Sequence, residues 1–192
     1  MTLSLPIAAE ANELLRRDPL ALLVGMVLDQ QVSMEKAFAG PYELARRLGH
    51  EPDAAELAGY DPEALVALFA ERPALHRFPK SMAGRVQEVC RTLVERYDGD
   101  PGRLWAEAED GAALLGRLTG LPGFGRQKAQ IFLALLGKRF EVRPPGWREA
   151  AGAYGEEGAY YSVADVTDEA SLLKVREYKQ RTKAAARSAA AG

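Results

Sequence analysis

The stretch Leu121-Pro122-Gly123-Phe124-Gly125 constrains the fold most, because it sets a proline and two glycines between two helical patterns. Apolar residues recur at helical spacing from Glu109 to Leu118 and again from Arg126 to Leu136, which predicts a helical hairpin over residues 110–137. Glycine tolerates positive φ and lets backbone N–H groups approach a ligand with no Cβ in the way. Successive amides in such a turn, opening onto a helix N-terminus, form a concave anion site suited to a DNA phosphate. Leu121, Gly123, Phe124, Gly125, Arg126 and Lys128 are therefore the hairpin's candidate DNA-binding residues. Leu121 and Phe124 are expected to anchor the turn on the core, and Lys128 to reach the same sugar–phosphate backbone. The competing reading is a plain tight connection between two helices.

Helical signals dominate elsewhere, and no run of alternating β-branched residues stands out, so the expected class is all-α, a single two-lobed helical bundle. Asp18-Pro19 and Asp61-Pro62 each pair a capping residue with proline at the first helical position. The segment Leu20 to Leu28 is apolar on every side and belongs in the middle of a bundle. Ser81 is expected to cap a helix that Gly99 ends, and Gly137 to close the second hairpin helix as a left-handed cap. Pro144-Pro145-Gly146 and residues 152–161 break regularity. A last helix is expected at about 168–183, followed by a frayed tail over 184–192.

The one cysteine, Cys90, builds neither a disulfide framework nor a thiolate metal site, and two histidines without metal-ligand spacing make zinc a poor fit. No metal and no cofactor is expected. No apolar run approaches the roughly 20 residues that cross a bilayer, and no signal pattern opens the chain, which predicts a soluble cytoplasmic protein with no membrane partner. A formal net charge of −2 argues against indiscriminate coating of nucleic acid, where affinity comes from neutralising many phosphates. A local patch remains: Arg126, Lys128, Lys138, Arg139, Arg143 and Arg148 fall in one stretch that also holds the hairpin.

These features resemble the helix–hairpin–helix (HhH-GPD) base-excision DNA glycosylases, a family that includes endonuclease III and the bacterial alkyladenine glycosylases. The resemblance covers roughly Asp18 to Arg148. Leu28-Asp29-Gln30-Gln31-Val32-Ser33 looks like the end of the family's buried helix, and Phe78 to Tyr97 like another family helix. The resemblance implies double-stranded DNA as partner, in a bacterium a nucleoid association, and Gln30 and Gln31 as contacts in a cleft where a side chain fills the gap left by a flipped base. Helix-end capping by the two amides is the alternative.

Departures from the family pattern matter as much. Members that cut the glycosidic bond usually carry an aspartate in the segment that here reads Val142-Arg143-Pro144-Pro145-Gly146-Trp147-Arg148, which places Arg143 at that position. Gln127 stands where bifunctional members have the Schiff-base lysine, so lyase chemistry is not expected. The cysteine count also excludes the relatives' iron–sulfur cluster. Breaking an N-glycosidic bond builds positive charge on the sugar, and an anion nearby stabilises it. The candidate replacements are Asp165, beside Tyr160 and Tyr161, and Asp29, beside the glutamines; Arg143 and Arg148 are kept as candidate DNA contacts. Three functions remain open: a monofunctional glycosylase with a non-standard carboxylate, a DNA-binding protein without catalysis, and a protein-interaction module.

Overall fold

A computed structural model describes residues 3–191 of the chain, and all its regular structure is helical. In chain order the helices are α1 (Ala9–Arg17), α2 (Pro19–Leu28), α3 (Met34–Leu48), α4 (Ala54–Gly59), α5 (Pro62–Ala70) and α6 (Pro79–Tyr97). They continue with α7 (Pro101–Ala106), α8 (Gly111–Thr119), α9 (Arg126–Arg139), α10 (Trp147–Ala151) and α11 (Glu169–Ala191). Among the described residues no helix is long and apolar enough to cross a membrane.

Local chemistry sets most helix starts. The carboxylates of Asp18, Asp61 and Asp110 accept from the backbone N–H groups of Leu20, Ala64 and Ala113, each satisfying an otherwise unpaired donor at a helix N-terminus. In α2 every residue from Leu20 to Leu28 is buried, as its all-round apolar pattern requires. Around α2 pack α1, α3 and α6, with α4 and α5 against α6; α8, α10 and two 3-10 turns gather round α9, and α11 packs on the second of those turns. The apolar side chains of both groups form one contiguous core.

Three boundaries differ from those the sequence predicts. α6 begins at Pro79 with Phe78 at its N-cap, so Ser81 lies inside the first turn; proline at the first helical position outranks a serine two residues later. α9 does not stop at Gly137 but runs to Arg139, and Gly137 is buried inside it. A Cβ there would collide with the six-membered ring of Trp147, which closes over that turn from α10. Gly137 is thus a packing glycine, and the matching Gly111 brings α8 equally close to the backbone of Gly146 and Trp147. Finally, helix α11 extends through the residues expected to fray, 184–191. Residues 181–188 are exposed all round, so alanine's intrinsic helix propensity rather than burial carries that extension.

Two glycine substitutions separate packing from propensity. Gly137→Ala is expected to destabilise the fold by about 1–2 kcal/mol, because overpacking against Trp147 outweighs the helix-propensity gain. Gly116→Ala, in the exposed middle of α8 with no atom near the new methyl, is expected to stabilise by about 0.5–1 kcal/mol. Urea unfolding of both variants reads the opposite signs directly.

Candidate nucleic-acid interface

The hairpin forms as a turn from Gly120 to Gly125 between α8 and α9. Leu121 and Phe124 are buried, and the Phe124 ring lies 6.1 Å from that of Phe132 on α9, which fixes the bend to the core. Gly123 sits at φ 79°, where a side chain would be strained and would also strike Arg85 of α6. Gly125 is the N-cap of α9 and supplies no side-chain acceptor, so the first amides of the helix are left open. Space around Gly125 is empty within 4 Å of where a Cβ would stand. Its bareness therefore relieves no internal clash and instead keeps an exposed ring of amides accessible. Arg126 is exposed beside it, and Arg85, which sequence spacing could not connect with the hairpin, flanks it from α6.

Lys128 does something other than reach outward. Its Nζ donates to the carbonyl oxygens of Met26 at 3.0 Å and Val27 at 3.2 Å, two of the open carbonyls that end α2. Burial pulls its pKa below the ordinary lysine value, the nearby Asp29 pushes the other way, and Arg85 adds to the lowering. The ammonium binds the hairpin to the end of the buried helix, and that end carries the other candidates.

Gln30 and Gln31 part company there. The Gln30 amide turns inward, donating to the carbonyl of Val27 and contacting the Met82 sulfur, which is the capping role. Gln31 is exposed at φ 57°, a left-handed conformation uncommon for a residue with a side chain. His76, buried and missed in the sequence, holds this bend: its Nδ1 accepts from the Phe78 N–H at 3.0 Å, leaving Nε2–H to donate to the Gln30 carbonyl at 2.9 Å. Burial, the largest effect, keeps His76 below the ordinary histidine pKa and thus neutral.

Asp29, the C-cap residue of α2, is half-buried, and its carboxylate takes part in no hydrogen bond among the described residues. Burial pushes its pKa up, Lys179 of α11 and Lys128 oppose the rise, and Glu35 adds to it. Arg176, also on α11, pairs with Glu35, so the last helix lies along the same edge. The other candidate acid is fully engaged. Asp165 is buried, bonds Lys138 at 2.6 Å, and accepts from the N–H groups of Tyr161 and Ser162, forming the capping box of a 3-10 turn. Its aromatic neighbours are occupied as well: Tyr161 packs on Tyr178 with centroids 4.5 Å apart, and Lys174 sits over Tyr160.

The basic stretch divides along α9. Arg126 and Lys128 stand at the hairpin end, whereas Lys138, Arg139, Arg143 and Arg148 surround a cavity at the opposite end, about 20 Å away for a helix of this length. Arg143 and Arg148 therefore do not share one patch with Arg126 and Lys128, which corrects the single patch expected from sequence. Gln127, at the Schiff-base position, is exposed and donates to the Tyr154 hydroxyl at 2.8 Å. Cys90 is buried in α6, with burial pushing its thiol up to about 12.

Two stability effects follow from this geometry. Lys128→Met removes the donor to two α2 carbonyls and is expected to cost about 1–3 kcal/mol in urea unfolding, against less than about 0.5 for Arg126→Ala. His76 ionises below its ordinary 6.5 in the folded chain, so below that pH the unfolded state binds the extra proton first. Stability is fully present above 6.5 and falls as pH drops toward the folded value, with a slope from this group of at most about 1.4 kcal/mol per pH unit. Urea unfolding at pH 7.5 and 5.5 is expected to show a smaller loss in His76→Gln than in the parent protein.

A search of curated proteins and a search of solved structures each returned no match. A family model did match, over residues 24–191, and its description is HhH-GPD superfamily base excision DNA repair protein. That span runs from the middle of α2 through the hairpin to the end of α11, and with the all-helical fold and the open glycine turn it establishes that the chain belongs to the HhH-GPD superfamily of base excision DNA repair proteins.

Proposed function

We propose that this protein is a monofunctional DNA N-glycosylase that grips duplex DNA through its hairpin and uses Asp29 as its carboxylate. One observation carries the reading: a carboxylate with no hydrogen bond among the described residues stands beside the lysine that joins the open-amide hairpin to α2. The amides of residues 126 to 128, with Arg126 and Arg85 at the rim, suit one sugar–phosphate linkage. Exposed Gln31, already held in its turn by His76, is positioned to fill the stack when a base leaves it.

In the reaction, water adds to the sugar carbon as the bond to the base breaks, and positive charge accumulates on the sugar on the way. An ionised Asp29 stabilises that charge and can take the proton of the attacking water. A carboxylate raised by burial, with Lys128 and Lys179 retaining the anion, has the balance that general-base work requires. Asp165 is excluded from this role because its oxygens are already committed to Lys138 and two amides. Lyase chemistry has no nucleophile here: Gln127 occupies the lysine position, and the Lys128 amine is tied to two carbonyls.

A single-turnover excision assay on duplexes carrying uracil, alkylated, oxidised and deaminated bases tests this. The expected result is release from at least one lesion, slowed about 10²–10³-fold by Asp29→Asn with duplex affinity retained. Gly125→Asp is expected to weaken duplex binding and to flatten its dependence on salt. Asp165→Asn is expected to lower stability by about 3 kcal/mol, since it leaves Lys138 buried without its partner. Excision by Asp29→Asn at the parent rate removes Asp29 from the mechanism. Tight, salt-sensitive duplex binding with no base released from the whole panel selects the alternative of a DNA-binding protein without catalysis.

A further inference from the structure

We propose that the cavity at the C-terminal end of α9 is a second anion site, built for a phosphomonoester. It encloses about 490 Å³ and is lined by Lys138, Arg139, Arg143 and Arg148 together with the acids Asp165 and Glu157. The proposal is independent of the excision reading, because the cavity and the hairpin lie at opposite ends of α9.

The charges of the lining do not cancel. Lys138 is paired with Asp165, and Arg148 with Glu157, whereas Arg139 and Arg143 have no carboxylate partner among the described residues. The lining therefore holds an excess of two positive charges, which matches a phosphomonoester, close to doubly negative at pH 7.

The bland explanation for these cations is that they satisfy the open carbonyls where helices end. That role uses only part of each guanidinium. Arg139 donates through Nε to the Ala164 carbonyl, and Arg143 through Nε to the Gly137 carbonyl, both at 2.8 Å. The terminal nitrogens at the far side of each fork have no acceptor among the described residues, and the Nε bonds hold the planes in place. Two guanidiniums pre-oriented in this way present paired donors with the geometry that phosphate oxygens take. Burial also lowers the pKa of Arg139, with Asp165 opposing.

A third fork can be recruited. The Arg148–Glu157 pair is exposed, with 43% and 81% of the two side chains accessible, and an exposed pair contributes little. Arg148 is held in place independently of it by the Trp147 ring, 4.5 Å from its guanidinium carbon, and by the Gly155 carbonyl. A bound phosphate can therefore displace Glu157 at small cost, making Glu157 a resident competitor for the ligand's position.

Isothermal titration calorimetry with inorganic phosphate, in a low-salt buffer free of phosphate and sulfate, tests the site in the full-length protein. Saturable binding is expected, weakened about tenfold or more in Arg139→Gln/Arg143→Gln and strengthened in Glu157→Gln. Gly125→Asp is expected to leave it unchanged. Arg143→Lys, which keeps the charge and loses the fork, serves if the double variant is unstable, and it too is expected to bind more weakly. No saturable binding by the parent protein, or parent-like binding in folded Arg139→Gln/Arg143→Gln or in Arg143→Lys, overturns the proposal. Competition then names the source of the ligand. Displacement of phosphate by a 5′-phosphorylated oligonucleotide but not by its 5′-hydroxyl counterpart identifies a DNA end, and displacement only by a small sugar phosphate identifies a free metabolite.

Discussion

The Lys128 ammonium closes the C-terminal end of α2, and the arrangement of the candidate interface depends on that bond. A helix ends with four carbonyls that lack internal partners, and in a buried apolar helix such as α2 water is not there to take them. The hydrogen bonds of Lys128 to Met26 and Val27, and of the Gln30 amide to Val27, meet that need from two directions. The same bonds set the hairpin, Asp29 and Gln31 against one another, because Lys128 lies in the first turn of α9 and Asp29 caps α2. A stabilising contact and the assembly of a site are here one interaction.

Helix α9 spaces the rest. Its N-terminal end meets α2 and opens its amides to solvent, while its C-terminal end carries Lys138 and Arg139 into a cavity that Arg143 and Arg148 complete. This polarity agrees with the helix dipole: an anion is favoured at the bare N-terminal amides, and cations gather where the carbonyls point out. The contact of Trp147 with Gly137 and the close approach of Gly111 to Gly146 then lock α8, α9 and the returning chain into one rigid unit. The distance between the two basic regions is therefore fixed.

How far the residues disclosed this arrangement depended on whether the deciding partner was near in sequence. The Asp-Pro starts at 18–19 and 61–62 and the glycine bend at 121–125 are self-contained signals, and each appears in the structure where local chemistry puts it. Gly137 was misleading because a capping glycine and a packing glycine look the same until Trp147, ten residues on, is seen to lie over it. The run from Arg126 to Arg148 suggested a single patch because nothing in a list of residues measures the rise of the helix between them. Arg85, His76 and Lys179 were not legible at all, since each joins the site through the packing of a distant helix or turn.

The two candidate acids show why a site must be argued from what each group still has free. From the sequence, Asp165 is attractive for its tyrosines and Asp29 for its glutamines. In the fold, Asp165 receives a lysine and two amides, and a carboxylate held that fully has little left to give a developing cation. Asp29 receives no hydrogen bond among the described residues, and burial raises its pKa against the opposition of Lys179 and Lys128. On the reading proposed above, the charge of a breaking N-glycosidic bond would meet a carboxylate that is still free to answer it. The position of Arg143 fits the same logic. On the proposed reading, a positive charge beside the reacting sugar would oppose the reaction, and at the far end of α9 Arg143 stands about 20 Å from the hairpin, more than a screening length away.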